Sequence, residues 1–226
     1  MSNAPLRIFI GTDKRQHVAY TVLAHSIRKH ATKPVAITGL NIDTLPVKRM
    51  GLTEFTYTRY LVPWLCDYQG MALFLDADMV LEEDVYELFR LCEGVDADVI
   101  VCQDAPRFEW PSMMMFKNER CQVLTPGYIG SGKPNVMTEW TDSIGGVSCE
   151  WNYCVGYQHA DVKPKLIHYT AGIPVWLQTR ECAFSEIWWD YARECMSTVS
   201  YEELMRGSVH HEKVVNGEIN IGAIAA

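Results

Sequence analysis

The stretch Met71-Ala-Leu-Phe-Leu75-Asp76-Ala77-Asp78 is apolar for five residues and then turns acidic. A run apolar at every position suits a central strand of a parallel sheet, covered on both faces. In an open α/β sheet, ligands bind outside the carboxyl ends of the strands. Side chains at i and i+2 of an extended segment point the same way, so Asp76 and Asp78 can face one ion. Two neighbouring carboxylates repel, and a hard divalent cation with oxygen ligands relieves that repulsion. The alternative is a solvated turn in which Asp78 caps the next segment of chain. The chain carries its own control, because the same tripeptide recurs at Asp96-Ala97-Asp98, ahead of its strand rather than after it. There it faces away from the ligand side and reads as a polar turn or a cap.

Outward from this stretch the pattern is strand, helix, strand. Leu6 to Ile10 is a short apolar run that ends at Gly11-Thr12-Asp13, a turn signal. Val18, Ala19, Val22, Leu23, Ser26 and Ile27 then repeat at helical spacing, closing on Arg28-Lys29-His30, and Val35 to Ile37 is a second strand. Such an opening favours a parallel sheet with right-handed crossovers. A helix is predicted over Tyr57 to Asp67, kinked at Pro63. Asp84 caps a predicted helix with Val85, Leu88, Phe89 and Cys92 inward, followed by a strand from Val99 to Cys102. Beyond residue 105 alternation weakens, and there is no internal repeat. The expected organisation is one domain over residues 1–205, with 206–226 as a weakly periodic C-terminal tail.

Composition sets the outer limits. With 226 residues and 48% hydrophobic content, the chain can bury one substantial core. A net charge of −8 argues against a nucleic-acid partner, since phosphate binding needs clustered Lys and Arg. No apolar run is long enough for a membrane span, and Met1-Ser-Asn-Ala-Pro lacks the order of a signal peptide, so the expectation is a cytoplasmic protein. The eight cysteines form no C-x-x-C pair and most sit in apolar stretches, which reads as reduced, buried thiols. Gly127-Tyr-Ile-Gly-Ser-Gly132-Lys133 nearly spells a phosphate-binding loop, but Pro134 stands where the magnesium-binding hydroxyl is needed and no apolar strand leads in.

Several further motifs stand in order: Ile10-Gly11-Thr12-Asp13, Thr53-Glu-Phe-Thr-Tyr-Thr-Arg59, Leu73-Phe-Leu-Asp-Ala-Asp78, Glu150-Trp-Asn152 and His168-Tyr-Thr-Ala-Gly-Ile-Pro174. From about residue 6 to 190 the chain resembles the GT-A glycosyltransferases related to family 8, which include glycogenin and bacterial lipopolysaccharide galactosyltransferases, and within them a bacterial and phage branch. The resemblance implies a single-domain α/β fold, a mostly parallel sheet flanked by helices. It implies a hexosyltransferase that moves a sugar from a nucleoside-diphosphate sugar, a UDP-sugar, to the hydroxyl of a saccharide or other acceptor, with retention. It assigns Asp76, Asp78 and His168 to Mn2+ or Mg2+, with His168 arriving on a strand from Lys165 to Tyr169. Gly11, Thr12 and Asp13 would hold uracil and ribose, and Asp76, Ala77, Asp78 and Arg59 would line the diphosphate and donor sugar. Asp142 falls where the family keeps a group under the anomeric carbon, making it, with Arg59, the implied catalytic pair. Asn152 falls near the acceptor.

Each assignment has a plainer competitor. A histidine in an apolar strand is more often a satisfied core residue, although imidazole beside two carboxylates suits manganese. Arg59 could be a structural salt bridge to a carboxylate at the edge of the core. Asp142, in Trp140-Thr-Asp-Ser-Ile-Gly-Gly146, has the composition of a turn. Trp110 and Trp151 are candidates for a sugar-stacking platform, whereas Trp188 and Trp189 read as packing residues. The family's Gly-x-x-Lys-Pro-Trp ending is Gly172-Ile-Pro174-Val-Trp176 here, so the diphosphate-neutralising lysine is missing and Arg59, Lys14 or Arg15 must replace it. Trp110-Pro111-Ser112 replaces a usual sugar-contact motif, and Gln16 or His17 stands where an aromatic stacks on uracil. Two rival functions share these features: a sugar-1-phosphate nucleotidyltransferase, for which Gly11-Thr-Asp-Lys-Arg15 is a poor signature loop, and a non-catalytic nucleotide-sugar-binding protein.

Overall fold

The computed structural model describes residues 4–131, 139–157 and 162–218. The elements, in order, are β1 (Leu6–Gly11), α1 (His17–His30), β2 (Val35–Leu40), α2 (Val62–Leu65), β3 (Met71–Leu75), β4 (Met79–Leu81), α3 (Val85–Glu93), β5 (Val99–Cys102), β6 (Met113–Lys117), α4 (Pro126–Gly130), β7 (Ile144–Val147), β8 (Tyr153–Cys154), β9 (Leu166–His168), α5 (Ser185–Met196), α6 (Tyr201–Met205) and α7 (His211–Val215). Two compact units emerge, dividing between Ala192 and Arg193.

In the first unit a six-stranded sheet has the order β2-β1-β3-β6-β5-β7. β1 pairs in parallel with β2 and β3, and β5 with β7, while β6 runs antiparallel to both β3 and β5. Five strands therefore share one direction, and the fold is the expected mostly parallel α/β sheet flanked by helices. A second sheet, β4-β9-β8, is built from short strands. Ala72 to Leu75 are all buried, as a strand covered on both faces requires.

The capped helix and the strand after it form as expected. The Asp84 side chain accepts from Tyr86 N–H at 3.0 Å, and Val85, Leu88, Phe89 and Cys92 face inward. The helix predicted from Tyr57 to Asp67 is broken instead: Thr58–Leu61 is a 3-10 turn, and Pro63 lies in the first turn of α2. Proline lacks the N–H that a helix interior uses and is best accommodated in the first turn, so it starts a helix here rather than kinking one. Trp140 to Gly146 is not only a turn, because Ile144–Val147 forms the edge strand β7. A Cβ at Gly145 would lie 2.6 Å from a methyl of Val95, so this strand uses glycine to let the chain after α3 approach closely. All eight cysteines are free, and most are buried; burial pushes the thiols of Cys92, Cys102 and Cys121 up to about 12.

In the second unit α6 begins with a capping box in which Ser200 and Glu203 satisfy each other's backbone groups. The stretch read as a weakly periodic tail contains α7. Residues 219–226 lie outside the described residues, as do the last positions of the phosphate-loop look-alike.

Candidate functional site

Asp76, Ala77 and Asp78 are the whole link between β3 of the large sheet, which ends at Leu75, and β4 of the small sheet, which begins at Met79. The backbone N–H of Asp76 donates to Ser112 C=O at 2.9 Å, while Asp78 C=O accepts from Tyr169 N–H at 2.9 Å. The acidic tripeptide is thus held rigidly at both ends. In the small sheet Met79 lies opposite His168, so antiparallel register brings the imidazole back beside the carboxylates. One donor atom each from Asp76, Asp78 and His168 falls within 4.8 Å of the others.

The electrostatics are those of a site short of positive charge. Burial pushes the Asp76 carboxyl up to about 7, with Arg59 opposing and Asp78 adding to the rise. Burial would lower the His168 imidazole, but Asp78, with Cys154 and Glu109, outweighs it and His168 stands well above its ordinary value. Oδ1 of Asp76 and Oδ1 of Asp78 are buried without hydrogen-bond partners among the described residues. His168 Nε2 lies 3.4 Å from Asp78 Oδ1. Two buried carboxylate oxygens that make ion pairs but no hydrogen bond, with an imidazole nitrogen close by, form a hard-to-borderline donor set that fits Mn2+ or Mg2+.

Arg59 approaches from the 3-10 turn and is almost fully buried. Its Nη1 donates to Pro111 C=O at 2.6 Å and lies 3.1 Å from Asp76 Oδ1, and its Nε donates to Phe55 C=O at 3.2 Å. The salt bridge to a carboxylate at the core edge is therefore real, and that carboxylate is Asp76 itself. The parallel register Ile10↔Leu75 sets Gly11, Thr12 and Asp13 beside the acidic tripeptide. Their side chains are already engaged. Thr12 Oγ1 donates to Leu40 C=O at 2.7 Å. Asp13 accepts from Arg15 N–H and Nε at 2.9 and 2.8 Å, which holds its carboxyl down at about 2. What this loop leaves for a ligand is mainly backbone. Lys14 is drawn to Asp43 at 2.6 Å. Ala77 is buried and contributes only backbone.

The structure separates Asp142 from this cluster. It is exposed and precedes β7, whereas Asp76 and Asp78 follow β3, and β7 and β3 run the same way. Four residues of strand, about 13 Å at roughly 3.3 Å each, lie between Asp142 and the ligand edge. The neighbouring Thr141 Oγ1 donates to Asp98 at 2.6 Å. Asp98 and Asp96 are tied to Arg120 at 3.1 and 2.6 Å, so the second acidic tripeptide is indeed a polar turn at the amino end. Asn152, placed near the acceptor by resemblance, is fully buried, with its amide oxygen 3.0 Å from His168 Nδ1. Trp151 is fully buried too and cannot stack on a sugar; Trp188 packs edge-to-face on Trp189.

Sequence reasoning missed Glu109. It is nearly buried, its Oε2 accepts from Ser112 Oγ at 2.5 Å and lies 3.8 Å from His168 Nδ1, and its Oε1 accepts from Thr170 Oγ1. Its one signal was adjacency to the altered Trp110-Pro111-Ser112 motif.

No protein-family model matches the chain. Among solved structures it is similar to the bifunctional glycosyltransferase WbbM (13% identity, TM-score 0.60, covering 96% of this chain and 52% of that one). It is also similar to the glycosyltransferase GlyE of Streptococcus pneumoniae TIGR4 (14%, TM-score 0.59, 95% and 64%) and to the galactosyltransferase LgtC solved with donor and acceptor sugar analogues (13%, TM-score 0.56, 89% and 99%). The chain thus spans about half the length of WbbM and under two thirds of GlyE. These likenesses establish the GT-A glycosyltransferase fold. Protein CDI of Arabidopsis thaliana is 30% identical over 81% of this chain and 85% of its own length. The chain belongs to the family of that plant protein.

Proposed function

We propose that this protein is a metal-dependent glycosyltransferase of the family 8-related group, transferring a sugar from a UDP-sugar to an acceptor hydroxyl with retention. The observation that carries this reading is the convergence of Asp76, Asp78 and His168 at the carboxyl end of the central strand of a GT-A fold. Glycosyl transfer is also the activity named for WbbM, GlyE and LgtC. A divalent ion held here would supply Lewis-acid stabilisation of the charge that develops on the departing diphosphate. Asp76 and Asp78 would hold that ion from the two ends of a tripeptide link fixed by backbone hydrogen bonds, and His168 from the opposing strand. Arg59, anchored by two carbonyls, would keep the Asp76 carboxylate aimed and add positive charge beneath the diphosphate. Backbone groups of Gly11 to Asp13 would meet the nucleoside.

The test is release of UDP from a panel of UDP-sugars, with Mn2+ and with chelator. Metal-dependent UDP release from at least one donor, lost in Asp78→Asn, is the expected result. Binding of UDP-sugars without any turnover would favour the non-catalytic binding protein.

A further inference from the structure

The buried side of His168 holds more information than a metal site needs. Among the described residues the nearest partner of Nδ1 is Asn152 Oδ1 at 3.0 Å, with the weak donor Cys154 Sγ farther off at 3.8 Å. Glu109 Oε2 stands off at 3.8 Å and its carboxylate is already engaged by the hydroxyls of Ser112 and Thr170, while the Cys154 thiol also reaches Asn152, its backbone carbonyl at 3.4 Å. An amide can present either its oxygen or its nitrogen, and the choice decides the chemistry of the ring. Here the choice is made elsewhere: Asn152 Nδ2 donates to the backbone carbonyl of Glu109 at 3.1 Å, which turns the oxygen toward the imidazole. Nδ1 must then carry a proton. In the neutral ring Nε2 keeps its lone pair, and that lone pair faces Asp78 Oδ1 at 3.4 Å. A carboxylate oxygen and an imidazole lone pair do not attract each other, so this arrangement calls for positive charge between them: a proton on Nε2 when no metal is held, and a divalent ion in its place when one is. With the amide reversed, Nδ1 would accept, Nε2–H would donate to Asp78, and the pair would be an ordinary hydrogen bond that leaves the histidine unable to bind metal.

We propose that Asn152 is a positioning residue whose amide, locked by the Glu109 backbone carbonyl, holds His168 as the Nδ1–H tautomer and makes Nε2 a metal ligand. This rests on the metal reading above. Outer partners of this kind orient the ring, and losing one costs metal affinity about 10–100-fold. The protein's own folding brings the parts together: Asn152 is the one residue between the 3-10 turn Cys149–Trp151 and β8, which runs in parallel with β9 at Cys154↔His168.

The experiment titrates the full chain with MnCl2, followed by the loss of the free-ion EPR signal, with and without UDP. Asn152→Leu, close in volume but without an acceptor, is expected to weaken Mn2+ at least tenfold. Asn152→Asp, which keeps an oxygen toward Nδ1, is expected to stay within about tenfold of wild type. Equal affinity in folded Asn152→Leu, or equal loss in both variants, overturns the assignment. A readout that needs no variant to fold is the long-range 1H–15N spectrum of the Mg2+-loaded wild-type protein, with the His168 signals assigned by their absence in His168→Gln. A proton on Nδ1 supports the proposal and one on Nε2 overturns it. Failure of wild type to bind Mn2+ under any condition removes the metal reading itself, a result distinct from equal binding by wild type and Asn152→Leu.

Discussion

Arg59 shows how one side chain can serve fold and site together. Its guanidinium satisfies two backbone carbonyls and neutralises Asp76, all in a nearly buried setting. Removing one partner of a buried ion pair leaves the other uncompensated, at a cost of about 3–5 kcal/mol. Arg59→Ala is therefore expected to lower stability by that amount in a urea titration, before any effect on turnover is considered; an unchanged midpoint would mean that the guanidinium is solvated. The acidic tripeptides make the opposite point, that identical residues differ by position alone. Asp78→Asn should abolish metal-dependent donor binding, whereas Asp98→Asn, at the amino end beside Arg120, should leave it nearly intact. Comparable loss in both would contradict the strand directions. Asp13 supplies the acid-side behaviour. Its folded carboxyl titrates at about 2, below an ordinary value of 3.8, because Arg15 holds it ionised. The unfolded chain binds the proton first, so the stabilisation is complete above about pH 5 and is lost as pH falls toward 2. The stability gap between wild type and Asp13→Asn should accordingly be widest near pH 6 and narrow steadily on acidification.

At the scale of elements, legibility followed burial symmetry. β3 and β5 are covered on both faces and α3 presents one apolar stripe behind a cap, so their patterns were plain in the sequence. β6 is Met-Met-Met-Phe-Lys and β7 is Ile-Gly-Gly-Val, compositions with weak strand preference that only tertiary contacts make into strands. Missing β7 also hid the fact that Asp142 lies at the wrong end of it. Asp76, Asp78 and the late strand bearing His168 were readable from motif order, but Glu109 and the inward turn of Asn152 depend on contacts between distant segments. Element ends impose their own limits. A Cβ on Gly11, at the end of β1, would meet Phe55 Cγ at 2.4 Å, and Phe55 in turn offers its carbonyl to Arg59. Overpacking of this kind costs about 1–3 kcal/mol. Gly11→Ala is expected to lose stability in that range and to weaken donor binding through Arg59; a neutral substitution would show that Phe55 has room to move.

For the molecule as a whole, the site is a junction. Asp76 and Asp78 join the two sheets of the first unit, His168 comes from the second of these sheets, and Glu109 and Asn152 arrive from two further segments. An unfolded chain cannot gather these groups, so a ligand that needs them all binds the folded state alone. Such a ligand stabilises by an amount set by its saturation, about 2.7 kcal/mol at a hundredfold excess over its dissociation constant. For a chain of this size each kcal/mol moves the melting temperature by about 2–4 °C, so the full effect is roughly 5–10 °C. The buried acidic oxygens that lack hydrogen bonds favour the metal-bound state, and a net charge of −8 adds a general preference for cations. That general preference is separable, because screening by salt weakens it while a coordinated ion persists. UDP with Mn2+ is therefore expected to raise the melting temperature by several degrees at both low and high salt. Chelator should abolish the shift, and His168→Ala should remove most of it. An equal shift from UDP with Mn2+ and with chelator would place the nucleotide on the protein without help from Asp76, Asp78 and His168, and would remove the metal from the mechanism.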